Sequence, residues 1–397
     1  MKKEELKDND QIIVKPKPTQ SAHIVTADSV QAEEVPTIPL GSLETLSELQ
    51  PAISIHSVAS TAEVSLPAPL VVQPAEYRRS FKEWIQIWRD GMRPAYLPLS
   101  VMPVLTGSIL AWRETITAKA PLGKFHLTHF LFALVAVILL QIGAHLINDY
   151  YDYLRGIDTS NTLGPGGLIQ QGLITPSKVL VTGLTLLGLG ALIGIVVAVA
   201  GGPIVFLLGL IGVLCAYFYS ATQRAISSKA LGELVVFSIF GPLLTLGAYM
   251  VQTGQMSLQA LYYGIPLGLL AAAVVHVNDM RDVEGDTHAG KRTIVSMLSF
   301  RWSRVGFLVL LLGAYGAVAA LGIPHGTPHF ILIALWTLPT LVVIITGILR
   351  TDTAAGLHTI MRQVLTLETS FALLFVVGLL TSTFISILPH IPAILPI

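Results

Sequence analysis

Two short aspartate-rich motifs carry the side chains of this sequence that are best suited to bind a metal ion or a phosphate group. NDYYDYLRGID begins at Asn148, and NDMRDVEGD begins 130 residues later at Asn278, each directly after an apolar run. If these runs are helices that continue into the motifs, Asn148 and Asp152 share one face, because residues four apart are neighbours on a helix. By the same spacing Asn278, Asp282 and Asp286 form one column. The spacing therefore predicts two carboxylate clusters that face each other across a cleft.

Other aspartates of the motifs point elsewhere on the same helices. Asp149 and Asp279 are turned by about 100° from the two columns, although each still neighbours the aspartate three residues on. Gly156 is predicted to end the first helix, since glycine commonly follows a helix C-terminus. That turn would let Asp158 approach the cluster from the loop.

Facing carboxylates next to apolar segments repel each other, and their desolvation is costly unless a cation bridges them. Mg²⁺ suits this role, because it takes one or two carboxylates together with phosphate oxygens and water. Basic residues suited to phosphate oxygens accompany the motifs: Arg155, Arg281, Lys291 and Arg292. We therefore predict a site for Mg²⁺ and a diphosphate. The alternative is solvated loop charge, and the second copy of the motif argues against it.

The rest of the sequence is far too apolar for a soluble protein. Of its 397 residues 53% are hydrophobic and 12% charged, and its mean hydropathy is +0.69. The chain has no formal net charge, so nothing suggests a nucleic-acid partner. Because a backbone in lipid must satisfy its own hydrogen bonds, we predict an all-α polytopic membrane protein. Nine spans of suitable length are predicted, at about 94–112, 127–147, 178–200, 203–220, 230–252, 257–277, 303–321, 328–349 and 365–388.

The distribution of lysine and arginine predicts the orientation of these spans. Sixteen of these residues fall on one side, three fall on the other, and five lie in the N-terminal tail. We expect a multi-pass protein of the cell (inner) membrane, with a cytoplasmic N-terminus and the C-terminus outside. Four spans separate the two motifs, so both are expected on the cytoplasmic side.

The N-terminal region differs in composition from the nine-span domain at 93–397. Residues 1–76 are charged or rich in Pro, Ser and Thr, which is typical of a disordered cytoplasmic tail. Residues 77–92 place Phe81, Trp84, Ile85 and Trp88 on one helical face, which predicts an amphipathic helix at the membrane interface.

The two motifs, with AGKRT directly after the second, resemble the aspartate-rich signatures of the UbiA-type membrane prenyltransferases. The resemblance covers about 80–397 and implies a nine-helix bundle with a central cavity. It also implies transfer of a polyprenyl group from polyprenyl diphosphate to an aromatic acceptor, with Mg²⁺ as cofactor. The stretches at 93–108, 164–176 and 230–254 most resemble the branch of menaquinone synthesis, in which 1,4-dihydroxy-2-naphthoate is the acceptor and demethylmenaquinone the product.

The resemblance also implies roles for individual residues. The catalytic group would be Asn148, Asp152, Asp282 and Asp286. Metal binding would involve Asp149, Asp152, Asp158, Asn278, Asp279, Asp282 and Asp286. The diphosphate would meet Arg155, Arg281, Lys291 and Arg292.

Aromatic residues near the motifs have two interpretations. Tyr150, Tyr151, Tyr153 and the stretch 216–220 could stabilise an allylic cation through their ring faces, or could form an interfacial belt. His145 and His276 each precede a motif, and we expect polar packing for both rather than a role as a catalytic base.

Two other functions compete with prenyl transfer to the naphthoate. The same chemistry could use 4-hydroxybenzoate, homogentisate, a porphyrin or a glycerol-phosphate lipid as acceptor. A cation-coupled transporter would also be an apolar bundle with acids, but its acids would lie near the midplane of the membrane. The expected partners are the two substrates and membrane lipid, with no nucleic acid and no obligate protein partner.

Overall fold

The computed structural model describes residues 79–117, 125–156, 167–222, 225–324 and 327–387, and within these ranges the chain is helical, which confirms the all-α prediction. The prediction of a disordered tail at 1–76 lies outside the described residues. The helices are α1 (Phe81–Met92), α2 (Pro98–Thr117), α3 (Leu127–Leu154), α4 (Pro176–Gly201), α5 (Pro203–Phe218), α6 (Gly232–Ser238), α7 (Leu244–Thr253), α8 (Leu258–His288), α9 (Ile294–Met297), α10 (Phe300–Gly322), α11 (Leu338–Arg350) and α12 (Ala354–Ile387). Short 3-10 turns at Pro94–Tyr96, Ile226–Ser228 and His329–Thr337 and a π turn at Ile239–Leu243 complete the helical elements.

Each of the nine predicted spans coincides with a helical segment, but not all of them are equally long. Seven continuous segments of the described chain are long and apolar enough to cross a membrane. An eighth candidate combines Phe81–Tyr96 with Pro98–Ile116, two helical pieces bent by 50°. The remaining predicted span, 203–220, coincides with α5, whose 16 residues are fewer than the roughly 20 that a span normally needs.

Helix α8 is the central helix of the bundle. It packs against α2, α6, α7, α10 and α12. In its most apolar 18-residue window 72% of the residues are buried, against 28% for the peripheral α4. Because the second aspartate motif is continuous with α8, the hydrophobic core holds that motif in place.

A π turn separates α6 from α7 where these helices cross α8. Gly241 in this turn has non-helical dihedrals, φ −121° and ψ −105°, and Pro242 follows it. A Cβ added to Gly241 would lie 2.6 Å from the backbone of Gly268. The small residues therefore let the two backbones approach closely, as in other membrane bundles.

The amphipathic helix α1 packs one part of its apolar surface against α3. Ser80 and Glu83 form a capping box that begins the helix at Phe81. Trp84 and Trp88 pack against the cluster that contains Leu146 and Leu168.

The apolar face predicted for this helix is divided in the structure. Phe81 and Ile85 are 79% and 51% exposed, whereas both tryptophans pack inward. The helix is thus tied to the bundle by its tryptophans, and its location at a membrane surface remains a prediction.

The close contact of α2 with α7 allows a direct test of the fold. A Cβ on Gly107 would lie 2.1 Å from the carbonyl oxygen of Thr245, so Gly107→Ala must push the two helices apart. We expect a loss of about 1–3 kcal/mol in unfolding free energy, seen as a lower Tm in detergent. In the control Gly316→Ala the new Cβ has nothing within 4 Å, so the Tm should not fall. An unchanged Tm for Gly107→Ala would contradict the described packing.

Candidate functional site

The ends of α3 and α8 that carry the two motifs line one cavity of about 280 Å³. Eight of the predicted site residues contribute to its wall: Asn148, Asp152, Asn278, Asp279, Arg281, Asp282, Asp286 and Lys291. Asp149, Arg155 and Arg292 do not line it, and Asp158 lies outside the described residues. The two motifs therefore meet, as expected of facing clusters.

The first motif remains helical until Leu154, and Gly156 follows with a left-handed φ of +68°. Within this helix Asn148 donates a hydrogen bond to Asp152 at 2.5 Å. Ser220, from the connection after α5, donates to the side-chain oxygen of Asn148. The Asn148 amide is thereby fixed with its nitrogen toward the carboxylate.

Arg155 has a structural role that the sequence did not reveal. Its guanidinium lies 3.5 Å from the Asp152 carboxylate and donates to the carbonyl oxygens of Ser220 and Thr222. The side chain therefore ties α3 to the α5–α6 connection, and the prediction that it contacts the diphosphate is not supported by its position outside the cavity wall.

Lys291 is brought into the site by the way α8 ends. The backbone N–H of Gly290 bonds to Thr287, and that of Lys291 bonds to the Asp286 carbonyl at 2.8 Å, which is the hydrogen-bond pattern of a Schellman motif. Gly290 has a φ of +72°, which glycine adopts without a steric penalty. This turn directs the Lys291 ammonium to 2.8 Å from Asp286 and 3.8 Å from Asp279.

The charge of Lys291 is stabilised by its surroundings. Burial acts to lower its pKa, but the carboxylates of Asp279, Asp286 and Asp152 outweigh burial and raise the pKa above its usual value. Lys291 is therefore a permanent cation in the cavity wall. Arg292, by contrast, is exposed, and its backbone carbonyl accepts from Ala230 at 2.9 Å, so the structure gives no support to its predicted diphosphate contact.

Arg281 organises the second motif. Its guanidinium contacts the Asp282 carboxylate through two hydrogen bonds, of 2.7 and 2.5 Å. It also donates to the side-chain oxygen of Asn278 at 2.9 Å and lies 3.3 Å from the ring of His358. The second column is therefore pre-formed around a buried arginine.

Arg93 belongs to the site although it was not among the predicted site residues. Arg93 follows α1 in a left-handed conformation, φ 51°, which costs free energy for any residue with a Cβ. Its guanidinium lines the cavity and pairs with the buried carboxylate of Asp149. The sequence carries only an indirect signal: Asp149 is turned from the first column, so its carboxylate needs a cation of its own, but the spacing does not say which one.

Below the charged groups the cavity becomes apolar. Gln141 accepts a hydrogen bond from Ser100 and donates to the carbonyl oxygen of Tyr96 at 2.7 Å. The apolar wall consists of Leu99, Val137, Leu140, Ala144, Gly212, Cys215, Ala216, Val235, Val236, Ile239, Phe240, Leu244, Val274 and Val275.

The aromatic residues of the wall differ from those predicted. Tyr219, from the stretch 216–220, lines the cavity, together with Tyr96 and Phe240. The other nominated rings do not line it: Tyr150 and Tyr151 pack into separate clusters, and Tyr153 is 39% exposed.

His276 is held away from the cavity by two partners. Its Nδ1 lies 3.1 Å from the Glu233 carboxylate, and its Nε2 lies 2.9 Å from the Ser303 carbonyl oxygen. Since a carbonyl oxygen only accepts, Nε2 must carry the proton of that hydrogen bond. The predicted polar packing is thus what the structure shows for this histidine, which joins α6, α8 and α10.

The charged residues of the cavity wall limit how a metal ion could bind there. Four carboxylates and three cations line the wall. Across the described ranges no group of three His, Cys, Asp or Glu side chains could hold a metal ion alone. Mg²⁺, however, normally takes one or two carboxylates and completes its shell with phosphate oxygens and water. The residues therefore fit Mg²⁺ that binds together with a diphosphate rather than a resident structural metal.

The pair of Arg93 and Asp149 can be tested by substitution. Arg93→Gln leaves the Asp149 carboxylate buried without its cation, which typically costs about 3–5 kcal/mol. We expect a clearly lower Tm and reduced turnover. The control Arg89→Gln removes an exposed pair, whose side chains are 65% and 63% accessible, and should change neither measurement.

Combining Arg93→Gln with Asp149→Asn should restore part of the lost stability, because the buried charge is then absent. If the two substitutions simply add, the side chains are not energetically coupled, and the assignment of Arg93 as the partner of Asp149 is wrong.

Several named proteins are similar to this chain. A 1,4-dihydroxy-2-naphthoate octaprenyltransferase of Bacillus subtilis is 27% identical over 299 residues, which are 75% of this chain and 94% of that protein. The protein of the same name from Mycobacterium tuberculosis is 32% identical over 234 residues, 58% of this chain and 75% of that protein. The UbiA prenyltransferase domain-containing protein 1 homolog of Drosophila melanogaster is 28% identical over 333 residues, 83% of this chain and 89% of that protein.

Solved structures share the fold. A UbiA homolog from Archaeoglobus fulgidus bound to GPP and Mg²⁺ has a TM-score of 0.54 and 16% identity, over 75% of this chain and 99% of that one. A second structure of a UbiA homolog from this organism has a TM-score of 0.53 at the same identity and coverage. At this identity the likeness establishes the fold.

The UbiA prenyltransferase family matches residues 100–359, which include both aspartate motifs and more than half of the chain. This match confirms the resemblance inferred from the motifs and decides against a transporter. Together with the helical architecture and the single cavity that both motifs line, the match shows that the chain belongs to the UbiA prenyltransferase family and is a membrane prenyltransferase.

Proposed function

We propose that this chain transfers a polyprenyl group from polyprenyl diphosphate to 1,4-dihydroxy-2-naphthoate in a Mg²⁺-dependent reaction that gives the reduced, hydroquinone form of demethylmenaquinone. Binding of the donor, polyprenyl diphosphate, is supported by the excess of carboxylates over cations in the wall of a cavity whose inner part is apolar. Each of those cations already contacts a carboxylate. A diphosphate can therefore enter only with additional positive charge, which Mg²⁺ supplies by offsetting the charge of the leaving group.

The proposed binding mode follows the polarity of the cavity. Asn148, Asp152 and the second column surround the diphosphate with its metal, and the Lys291 ammonium attracts its oxygens. The prenyl chain extends past Val137 and Leu244 into the apolar part. Loss of the diphosphate breaks the C–O bond, and the electron pair leaves with the phosphate oxygen. The rings of Tyr96, Tyr219 and Phe240 are the ones placed to shield the resulting allylic cation from water.

The names of the relatives support the naphthoate as acceptor. The Bacillus and Mycobacterium proteins are named for it and are 27% and 32% identical to this chain. The Drosophila relative, at 28%, is named only for the domain, so identity alone does not select the acceptor. In the proposed reaction the acceptor ring forms the new C–C bond and releases its carboxylate as CO₂, whose former bonding pair stays in the ring. The diphosphate ester and the naphthoate thus give prenylated hydroquinone, CO₂ and diphosphate without net proton uptake.

We further propose that the cavity opens on the cytoplasmic side of the cell membrane, with the N-terminus on the same side and the C-terminus outside. The excess of lysine and arginine next to the motif-bearing helix ends supports this orientation.

Removal of a motif carboxylate should abolish turnover. We expect Asp152→Ala and Asp282→Ala to reduce prenyl transfer in isolated membranes by at least about 100-fold, because electrostatic groups at the leaving diphosphate typically contribute that much. Removal of Mg²⁺ with EDTA should stop the reaction of the unaltered protein, and added Mg²⁺ should restore it. Asp90→Ala is a matched control, since this carboxylate is 63% exposed on α1. Full activity of either motif variant would remove the proposed site.

A panel of acceptors with one labelled polyprenyl diphosphate tests the acceptor half. Mass spectrometry should detect a prenylated product with 1,4-dihydroxy-2-naphthoate, and a carboxyl-labelled acceptor should release one labelled CO₂ per product. A product formed only with 4-hydroxybenzoate or homogentisate would refute the naphthoate assignment while leaving the donor site intact.

A further inference from the structure

One imidazole in the cavity wall lacks the hydrogen bonds that polar groups inside a bundle normally have. His145 lies on α3 and lines the cavity. Its ring packs against that of Tyr96, with the two ring centroids 5.6 Å apart. Its Nε2 is buried, and no residue of the described ranges hydrogen-bonds it. A buried polar atom without a partner destabilises the fold, so its presence in a residue of the substrate cavity is explained if a ligand supplies the missing hydrogen bond.

The corresponding histidine of the second motif shows what a structural imidazole looks like here. His276 precedes its motif in the same way, yet Glu233 and Ser303 occupy its two ring nitrogens. The two histidines are therefore not equivalent, although polar packing was expected for both. Only the first borders the substrate cavity while its Nε2 remains unpaired within the described chain.

The two polar side chains that flank His145 on α3 are already engaged, whereas the His145 Nε2 is not. Gln141, one turn deeper on α3, is engaged with Ser100 and with the Tyr96 carbonyl. Asn148, three residues toward the charged end, is engaged with Asp152 and Ser220. The imidazole thus lies between the diphosphate-binding groups and the apolar part, at the level where the reacting end of a bound donor would be.

We propose that His145 is an acceptor-binding residue, whose imidazole accepts a hydrogen bond from a hydroxyl group of the aromatic substrate. This inference rests on the proposed function for the location of the reaction, but it requires only that the acceptor is a hydroxylated ring. The hydrogen bond orients the ring beside the reacting carbon of the donor and increases the electron density of the ring that attacks it. No proton needs to be transferred to the histidine.

The test compares His145→Phe with His145→Asn in membranes that contain the full chain. Phenylalanine keeps a ring but cannot hydrogen-bond, so kcat/KM for the acceptor should fall about 10- to 100-fold, while KM for the donor changes less than twofold. Asparagine retains an accepting oxygen and should recover part of the loss. Equal effects on donor and acceptor, or a lower Tm without a change in acceptor KM, would indicate a merely structural role.

Acceptor analogues that lack one ring hydroxyl identify the contact. In the unaltered protein, kcat/KM for one such analogue should be lower than for the full acceptor by about the factor that His145→Phe causes. In the His145→Phe variant, the full acceptor and this analogue should have about the same kcat/KM. Additive losses would overturn the proposal. His129→Phe is the matched control: this imidazole is also on α3 and also has a buried nitrogen without a partner, Nδ1, but it does not line the cavity.

A binding measurement independent of turnover uses the single cysteine of the chain. Cys215 lines the same cavity, so a bound acceptor should slow its alkylation by a small maleimide. We expect this protection to weaken in His145→Phe and to persist in His129→Phe. If the naphthoate itself proves not to be the acceptor, the same comparison is made with the acceptor found in the panel, so the two proposals fail separately.

Discussion

The cost of placing charge inside an apolar bundle is the constraint that organises this molecule. An isolated ion in such surroundings is several kcal/mol less stable than in water, even after relaxation. The motifs meet this cost by local pairing: Arg281 binds Asp282, Lys291 binds Asp286, and Arg93 binds Asp149. Because the pairs are formed by the protein itself, the carboxylates are oriented before any substrate arrives. Such preorganised charge is what stabilises a leaving group most effectively.

Helix continuity explains why these pairs occur at one end of the bundle. Helices α3 and α8 are 28 and 31 residues long, more than the roughly 20 that a membrane requires. The additional turns place the motifs beyond the apolar part of each helix, and because each helix is continuous, that apolar part determines which way the motif residues face. The buried middle of α8 therefore fixes the position of its polar end, and the Schellman turn at Gly290 returns Lys291 to the same cavity.

Much of this arrangement could be predicted from the sequence because it depends on local periodicity. The columns that contain Asp152 and Asp282 follow from spacing on one helix, and the nine apolar segments follow from hydropathy. Contacts between distant segments could not be predicted in this way. Arg93 is 56 residues from Asp149, and no pattern in the sequence announces their pairing. Arg155 and Arg292 lie outside the cavity wall, and Arg155 instead donates to nearby carbonyl oxygens, so their contact with a diphosphate stays a prediction. Of the nominated aromatic rings, which all lie in the described ranges, Tyr219 alone lines the cavity, because adjacent residues point in different directions from one helix.

The shortness of α5 has a consequence for the lipid around the protein. Sixteen residues of helix extend about 24 Å, whereas the hydrocarbon layer is about 30 Å thick. If α5 crosses the membrane, as predicted for 203–220, the adjacent bilayer must become thinner or the polar connections of the helix must lie below the headgroups, each at a modest energetic cost. Gly212, Cys215 and Ala216 of α5 belong to the cavity wall. We therefore expect the wall next to the substrate to respond to the thickness of the surrounding bilayer and hence to the length of its acyl chains.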